Sequence, residues 1–561
     1  MTFRVESRAR RWAVALLAGV IAAACSEEQA PAPLLPGCAA ATTTVTLAAG
    51  AYTSVDPASD SGCVAFPGNG TADTVSYLVI GQSAGGTPGD STRFELSSAT
   101  VSASAVPPAA APAFLMPPLP PRARAFGPNA RRFDRALRTL ARTRAYVRPG
   151  PAAAPPRPPA APASGPPSLG SLRTFQVCAN YDCSTFDAVV ARVQALGPDV
   201  AIYVDTTAPS GGFGTSGYDS LAQAFETHDF VVDTAAFGGV SDVDSNGVVL
   251  VLMTNVINSL VTTQQCQTGG FVAGFFFPGD LDPASRTAYN DGELFYTLVP
   301  DPTGKLSCPH TANDVQSLLP STFAHELQHM ISFNQHVLER SGPLEDLWLD
   351  ESLSSLGEEL SAQSYLPDTA SFLNGVFGNL YDAYVYYLSP PSHFLLQTSD
   401  TLLPDFGAGW LYVRYLADQF GPGITRSLEQ TNLTGTQNVA AQTGLPFETT
   451  AERWALANYV SDLPGYAPPA ELQYTSWSFR GVFGSFYAQD PYDFPYAFPL
   501  RPAVSAPGSV SVSGELGAGS AAYAGVVQPP HSGGFTLTFR AGPTALISPD
   551  VVPRITILRL R

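Results

Sequence analysis

Two histidines and a glutamate at fixed spacing open the chemical reading of this chain: His325-Glu326-Leu327-Gln328-His329, an H-E-x-x-H pattern. On a helix, positions i and i+4 lie on one face, one turn apart. Both imidazoles can then reach one tetrahedral Zn²⁺, while Glu326 stands where a carboxylate can take a proton from metal-activated water. The bland alternative for five residues is a solvated helix face. A catalytic zinc needs three protein ligands and one open position, so the pattern predicts a third ligand elsewhere in the chain.

The continuation H-E-x-x-H-x-x-G-x-x-H fails. Ser332 stands where Gly is needed and Gln335 where the third His is needed. His336 is one position late, which makes it a surface or supporting residue. The better candidate lies in Leu347-Trp348-Leu349-Asp350-Glu351-Ser352-Leu353-Ser354-Ser355-Leu356, which resembles the W-L-x-E helix of gluzincins, a resemblance that implies Glu351 as the third ligand. Glu345, Glu358 and Glu359 are its rivals. Glu358 lies two turns after Glu351 and is also a candidate for supporting the ligands, alongside Asp350 and Ser355. The turn Arg340-Ser341-Gly342-Pro343 separates the two helices.

Together, A-H-E-L-Q-H-M-I-S-F and W-L-D-E-S-L-S resemble the gluzincins, and among them the hyicolysin-type neutral zinc metallopeptidases. The resemblance spans about residues 173–459, with weaker support at 237–247 and 407–421. It implies a zincin-like fold, one catalytic Zn²⁺ held by His325, His329 and Glu351, and Glu326 as the general base of a metalloendopeptidase. One departure stands out. Thermolysin-like chains carry an Asp four residues after the third ligand to orient a zinc His; this chain has Ser355. Asp350, Glu358 or a backbone carbonyl is left to serve instead. Oxyanion donors are sought among Tyr386, Tyr387, Trp410 and Tyr412, although aromatic residues there are more often core.

Several elements must position these groups. Leu172–Val177, 201–204, 248–252, 271–277 and 294–299 read as strands, and 186–196 reads as a helix. The strand near Gly274 or Leu294 is an expected edge for an extended substrate. Gly407–Phe420 and Phe447–Tyr459 read as further helices. The fold class is therefore multidomain: an α+β zincin-like catalytic domain over 173–461, flanked by an N-terminal β-sandwich-like domain and a C-terminal β-domain over 462–561. Residues 25–106 hold a tether and the small β-domain, with strands expected at 43–47, 75–80 and 93–96. Residues 107–172 form a Pro/Ala/Arg-rich linker or prosegment. Within it, Asn129–Tyr146 reads as a helix bearing Phe133, Leu137 and Leu140 on one side. It is a solvated linker helix, a cleavable prosegment, or a strip meeting anionic lipid.

Asp242-Val243-Asp244-Ser245-Asn246-Gly247 looks like the first half of a Ca²⁺ loop, but Met253 stands where the closing Glu belongs. A turn closing a hairpin is the competing reading, with a Ca²⁺ site at Asp242, Asp244 and Asn246 as the alternative.

Residues 1–24 read as a signal peptide: Arg4, Arg8, Arg10 and Arg11, then a short apolar run ending in Ile21-Ala22-Ala23-Ala24-Cys25. Small residues before a Cys resemble a bacterial lipobox. This implies lipidation at Cys25 and an exported, outer-membrane or cell-surface protein; ordinary secretion is the alternative. Six cysteines remain, and neighbour pairing gives Cys38–Cys63, Cys178–Cys183 and Cys266–Cys308 as the simplest disulfides. A formal net charge of −18 argues against nucleic-acid partners and leaves a protein or peptide substrate. The competing functions are a zinc aminopeptidase, for which no G-x-M-E-N-like element is found, and a non-catalytic surface lipoprotein with structural zinc, which would not need Glu326. No G-x-S-x-G elbow supports a serine hydrolase. Cys25→Ser should abolish palmitate labelling of the chain; labelling that survives the substitution contradicts the anchor.

Overall fold

The computed structural model describes residues 35, 37–38, 43–98, 127–144, 165–398 and 402–561. The signal peptide and Cys25 lie outside these residues, as do residues 107–126 and 145–164 of the Pro/Ala/Arg-rich stretch.

A six-stranded sheet supports the site. Its strands are β5 (Leu172–Cys178), β6 (Phe186–Leu196), β7 (Val200–Asp205), β8 (Val249–Met253), β9 (Gly274–Phe276) and β10 (Leu294–Thr297), in spatial order β5-β6-β7-β8-β10-β9. Strands β7, β8 and β10 are parallel and wholly buried, so they read as continuous apolar runs such as Val-Leu-Val-Leu-Met. Strand β9 is antiparallel and forms the edge. The Leu294 strand is interior, paired on both sides, so of these two expected strands it is the Gly274 strand that lies at an edge. Residues 186–196, predicted helical, form β6. Val189, Ala191, Val193 and Ala195 alternate into the core while β5 and β7 pair on either side, so non-local pairing overrides the helix-forming Ala, Arg, Gln and Leu.

The helices follow the sheet. Helix α1 (Pro128–Thr143) precedes it in sequence; α2 (Ala312–Phe333), α3 (Leu347–Ser364), α4 (Thr369–Leu388), α5 (Leu403–Phe420) and α6 (Phe447–Val460) come after. Thr311 and Asp314 close a capping box at the start of α2. Helix α3 is enclosed by α2, α4 and α5. Gly409 of α5 faces Ser352 of α3 so closely that a Cβ would collide with its Oγ. Such packing buries α3 nearly all round, charged residues included.

The β-rich flanks depart from expectation. The N-terminal strands are β1 (Tyr52–Val55), β2 (Cys63–Phe66), β3 (Val75–Ser83) and β4 (Ser91–Ser98). The C-terminal strands are β11 (Ala503–Ser505), β12 (Ser511–Gly517), β13 (Ala521–Gln528), β14 (Phe535–Arg540) and β15 (Pro553–Arg559). They interleave in two sheets, β1-β15-β3-β13-β11 and β12-β4-β14-β2. Every N-terminal strand has only C-terminal strands for neighbours. The separate N- and C-terminal β-domains of the sequence reading are therefore one sandwich, built from both ends of the chain around a shared core that includes Val64, Val79, Leu96, Leu537, Phe539 and Ile557. The expected strand at 43–47 contributes one bridge, Thr44 to Ala65. The sandwich docks on α6 through Tyr523 Oη, which donates to the Ala455 carbonyl at 2.9 Å, and through Arg554 and Glu452 at 3.3 Å.

Helix α1 is not a solvated linker helix. Phe133, Leu137 and Ala141 are buried, and so are Arg131, Arg135 and Arg138, which removes them from any lipid surface. The three neighbour pairings of cysteine are bonded: Cys38–Cys63, Cys178–Cys183 and Cys266–Cys308. Among the described residues, no helix is long and apolar enough to cross a membrane.

A chain ending at residue 461 should lose the slow amide exchange of β3, because both of its neighbours, β13 and β15, are gone. Hydrogen exchange read by mass spectrometry checks this; protection that persists would mean an independent N-terminal domain.

Candidate metal centre

Helix α2 places His325 and His329 one turn apart, and α3 crosses it with Glu351. The Nε2 atoms of the histidines lie 3.1 Å apart. Glu351 Oε2 is 3.8 Å from His325 Nε2, and Oε1 is 3.7 Å from His329 Nε2. A tetrahedral zinc with ligand bonds near 2.0–2.1 Å has edges of about 3.3 Å, so these spacings suit one ion. A second observation agrees. Both carboxylate oxygens of Glu351 are buried without a hydrogen-bond partner, a costly arrangement unless a cation is shared. The donor set, two imidazoles and a carboxylate, is one that zinc takes.

The ligands are held from behind. Glu358 Oε1 lies 2.6 Å from His325 Nδ1, and Asp350 Oδ1 lies 3.2 Å from His329 Nδ1. In its ionised form each carboxylate favours a proton on Nδ1 and leaves Nε2 as the donor atom for an ion. The place of the missing orienting Asp is thus taken by two acids. Ser355 does not reach the histidines; its carbonyl accepts from Asn379. Its neighbour Ser354, not singled out from sequence, sits 3.1 Å from His329 Nδ1 and donates to Gln328 Oε1 at 2.6 Å.

Electrostatics follow from burial. Desolvation, with Arg131 and Arg138 nearby, pushes the His325 imidazole down to about 3. Burial and Arg138 take His329 to about 4. Both rings are thus neutral, the state that ligates. Burial, then the charge of Asp134, raises Glu351 well above the usual carboxylate range. Burial raises Glu358 to about 8. Burial also works to raise Asp350, but His329 and Arg138 outweigh it and hold its carboxyl low.

Glu326 is buried beside the cluster. Its Oε2 accepts from the Phe276 N–H of edge strand β9 at 2.7 Å. Gly274 permits that approach of strand to helix, since a Cβ there would fall 2.6 Å from the Tyr296 carbonyl and 2.7 Å from Thr322. Burial, then Asp134, raises the Glu326 carboxyl above its ordinary value.

The rivals are engaged elsewhere. Glu345 accepts from the Gly435 and Asp346 N–H groups and from Asn438. Glu359 accepts from Trp410, Trp477 and Arg414. His336 is buried, not a surface residue; a π turn (Asn334–Leu338) aims it at Glu429 and Glu345, 3.5 and 3.9 Å away. The expected oxyanion donors belong to the core. Tyr387 reaches Asn458, Tyr412 reaches Thr450, Trp410 donates to Glu359, and Tyr386 stacks on Trp454.

The Asp242 loop leads from a helical crossover into β8, so it does not close a hairpin. Asp242 and Asp244 gather with Glu293, which the sequence reading missed. Asn246 donates to Asp244 instead of turning its oxygen inward, and Arg173 stands 3.6 Å from the same carboxylate.

Sequence reasoning also missed two residues of α1. Asp134 gathers with His325, His329 and Glu351, their ligating atoms all within 4.8 Å of one another. Arg138 lies 3.6 Å from Glu326 and 3.8 Å from Glu351. A signal existed: Asp134 is the sole acid in the Arg-rich segment 122–148.

No protein-family model matches the chain. Over 143 residues the chain is 32% identical to the neutral metalloprotease ShpI of Staphylococcus hyicus. The match covers 25% of this chain and 29% of that relative's length. It supports a metallopeptidase relationship at most.

Glu358→Gln should weaken zinc affinity by about 10–100-fold, because His325 loses its orienting carboxylate. Glu351→Ala should lower zinc content strongly. Competitive titration with a chromogenic chelator reads both; unchanged affinity in both would place the ion elsewhere.

Proposed function

We propose that this chain is an exported zinc metalloendopeptidase of zincin-like fold that hydrolyses peptide bonds. The observation that carries the reading is Glu351: a buried carboxylate that accepts no hydrogen bond, facing two neutral imidazoles, beside a second acid held on the sheet edge. His325, His329 and Glu351 would hold the ion. When bound, zinc lowers the pKa of water to about 7 and polarises a carbonyl.

The remaining work falls to the chain. Glu326 takes the proton of the attacking water on its carboxylate and passes it to the leaving amine. Its hydrogen bond from Phe276 fixes the orientation of that carboxylate. Burial raises its proton affinity, which suits a group that must first accept and then donate. Glu358 and Asp350 keep the imidazoles turned. Edge strand β9 offers backbone groups to an extended peptide, which would run along the sheet past Glu326.

Export rests on the sequence signal at residues 1–24 and on the disulfides, which persist in oxidising compartments. Cys25 is the proposed lipid anchor, at an outer membrane or cell surface.

Placed in whichever form of the chain cleaves casein, Glu326→Gln should retain zinc and lower the cleavage rate by about 10²–10⁴-fold. Cleavage at the wild-type rate by zinc-loaded Glu326→Gln would remove Glu326 from the mechanism.

A further inference from the structure

Helix α1 packs against edge strand β9, and one of its side chains joins the cluster of His325, His329 and Glu351. Asp134 contributes a carboxylate oxygen to the same cluster as His325, His329 and Glu351. Its Oδ1 accepts from Arg138 Nε and Nη2 at 3.2 and 3.0 Å, while its Oδ2 is buried with no hydrogen-bond partner. Half-buried Asp134 and buried Glu351 therefore both present buried oxygens that accept no hydrogen bond to a common space.

The rest of α1 fits the cleft around this contact. Phe133 packs edge-on against Phe275 of β9, with ring centres 5.0 Å apart, and Arg138 lies over Phe276 at 5.8 Å. Arg131 pairs with Asp382 of α4 at 3.3 Å. Asn129 donates to the Gln265 and Gly270 carbonyls at 3.0 Å each. At the other end Arg142 donates to the Glu345 carbonyl, and Arg144 stands 3.5 Å from Asp282. Arg138, Ala141 and Arg142 close a small hollow whose other walls are His329, Phe276, Phe333 and Leu344. Both the sheet edge and the space beside His329 are thereby covered.

We propose that α1 is a built-in inhibitor and that Asp134 is the fourth ligand of the ion, standing where the attacking water must bind. The inference rests on the metallopeptidase reading. A site with four protein ligands is closed, whereas catalysis needs an open position. Arg138 adds a second block, since its guanidinium neutralises Glu326 and stands between that carboxylate and a substrate. The sandwich explains how such a segment can be internal. Strands β1 to β4 precede α1 yet are paired to β12 to β15, so the chain before α1 stays in the fold when α1 leaves the cleft.

The test uses the full chain with Co²⁺ in place of zinc, and reads the cobalt visible spectrum, the affinity for a dipeptide hydroxamate, and casein cleavage. Asp134→Asn keeps the size of the side chain; Asp134→Ala removes it. A second form carries engineered recognition sequences for a site-specific protease in 99–126 and in 145–164, so that α1 is excised from the folded protein. The proposal expects the cobalt spectrum to change in both variants, and hydroxamate affinity to rise by about tenfold or more, because the competent state is no longer a minor one. Excision should raise affinity and cleavage further. Synthetic peptide 127–144 should reverse the gain, and the same peptide with Asp134→Asn should fail to. An unchanged cobalt spectrum and hydroxamate affinity in both variants and after excision overturns the proposal. So does full casein cleavage by the uncut wild-type chain. Spectral and affinity changes without casein cleavage in any form uphold the Asp134 ligand and count against the peptidase reading instead.

Discussion

Buried charge of one sign is what the structure has to accommodate. Around the α2–α3 crossing, Glu326, Glu351 and Glu358 are buried and Asp350 is half-buried, all within reach of two neutral histidines. Carboxylates taken out of water repel one another and lose their hydration. Such a cluster persists only where cations offset it. In α1 the cation is Arg138; between His325, His329 and Glu351 the donor atoms leave room for a metal. The tight packing of α3 among α2, α4 and α5 serves this end, because it fixes carboxylates that would otherwise turn to solvent. Glycines at 274 and 409 are the sequence's concession to that closeness.

Much of the centre could be read without a structure, for a local reason. An i, i+4 pair of histidines has its geometry set by the helix alone, and the Trp-Leu-Asp-Glu turn places Glu351 on the next helix within a short connection. The parallel strands β7 and β8 announce themselves as continuous apolar runs. What was illegible is non-local. Nothing within Val75–Ser83 says that its partners lie beyond residue 520, so one sandwich was read as two domains. Residues 186–196 contain good helix formers, and only the strands on either side make them β6. The four aromatic candidates for oxyanion binding are core residues: Tyr387, Trp410 and Tyr412 direct their polar tips to partners elsewhere, and Tyr386 is packed on Trp454.

Asp134 is the most instructive omission. Its segment is dominated by proline, alanine and arginine, a composition that signals a solvated linker. A lone acid among arginines carries no obvious meaning until the helix is seen against the cleft. There the arginines satisfy acids and carbonyls of the cleft wall, and the acid faces His325, His329 and Glu351. The Ca²⁺-like loop teaches the converse: Asp242 and Asp244 gather with Glu293, yet Arg173 and Asn246 already engage the Asp244 carboxylate.

The central claim is that one ion joins His325, His329 and Glu351. Anomalous diffraction from crystals of the full chain, collected on both sides of the zinc edge, tests it most directly. The account predicts a single zinc peak within bonding distance of both Nε2 atoms and of the Glu351 carboxylate, with Asp134 closing the fourth side. A peak at any other cluster, or crystals grown with zinc that show none between these residues, would contradict it.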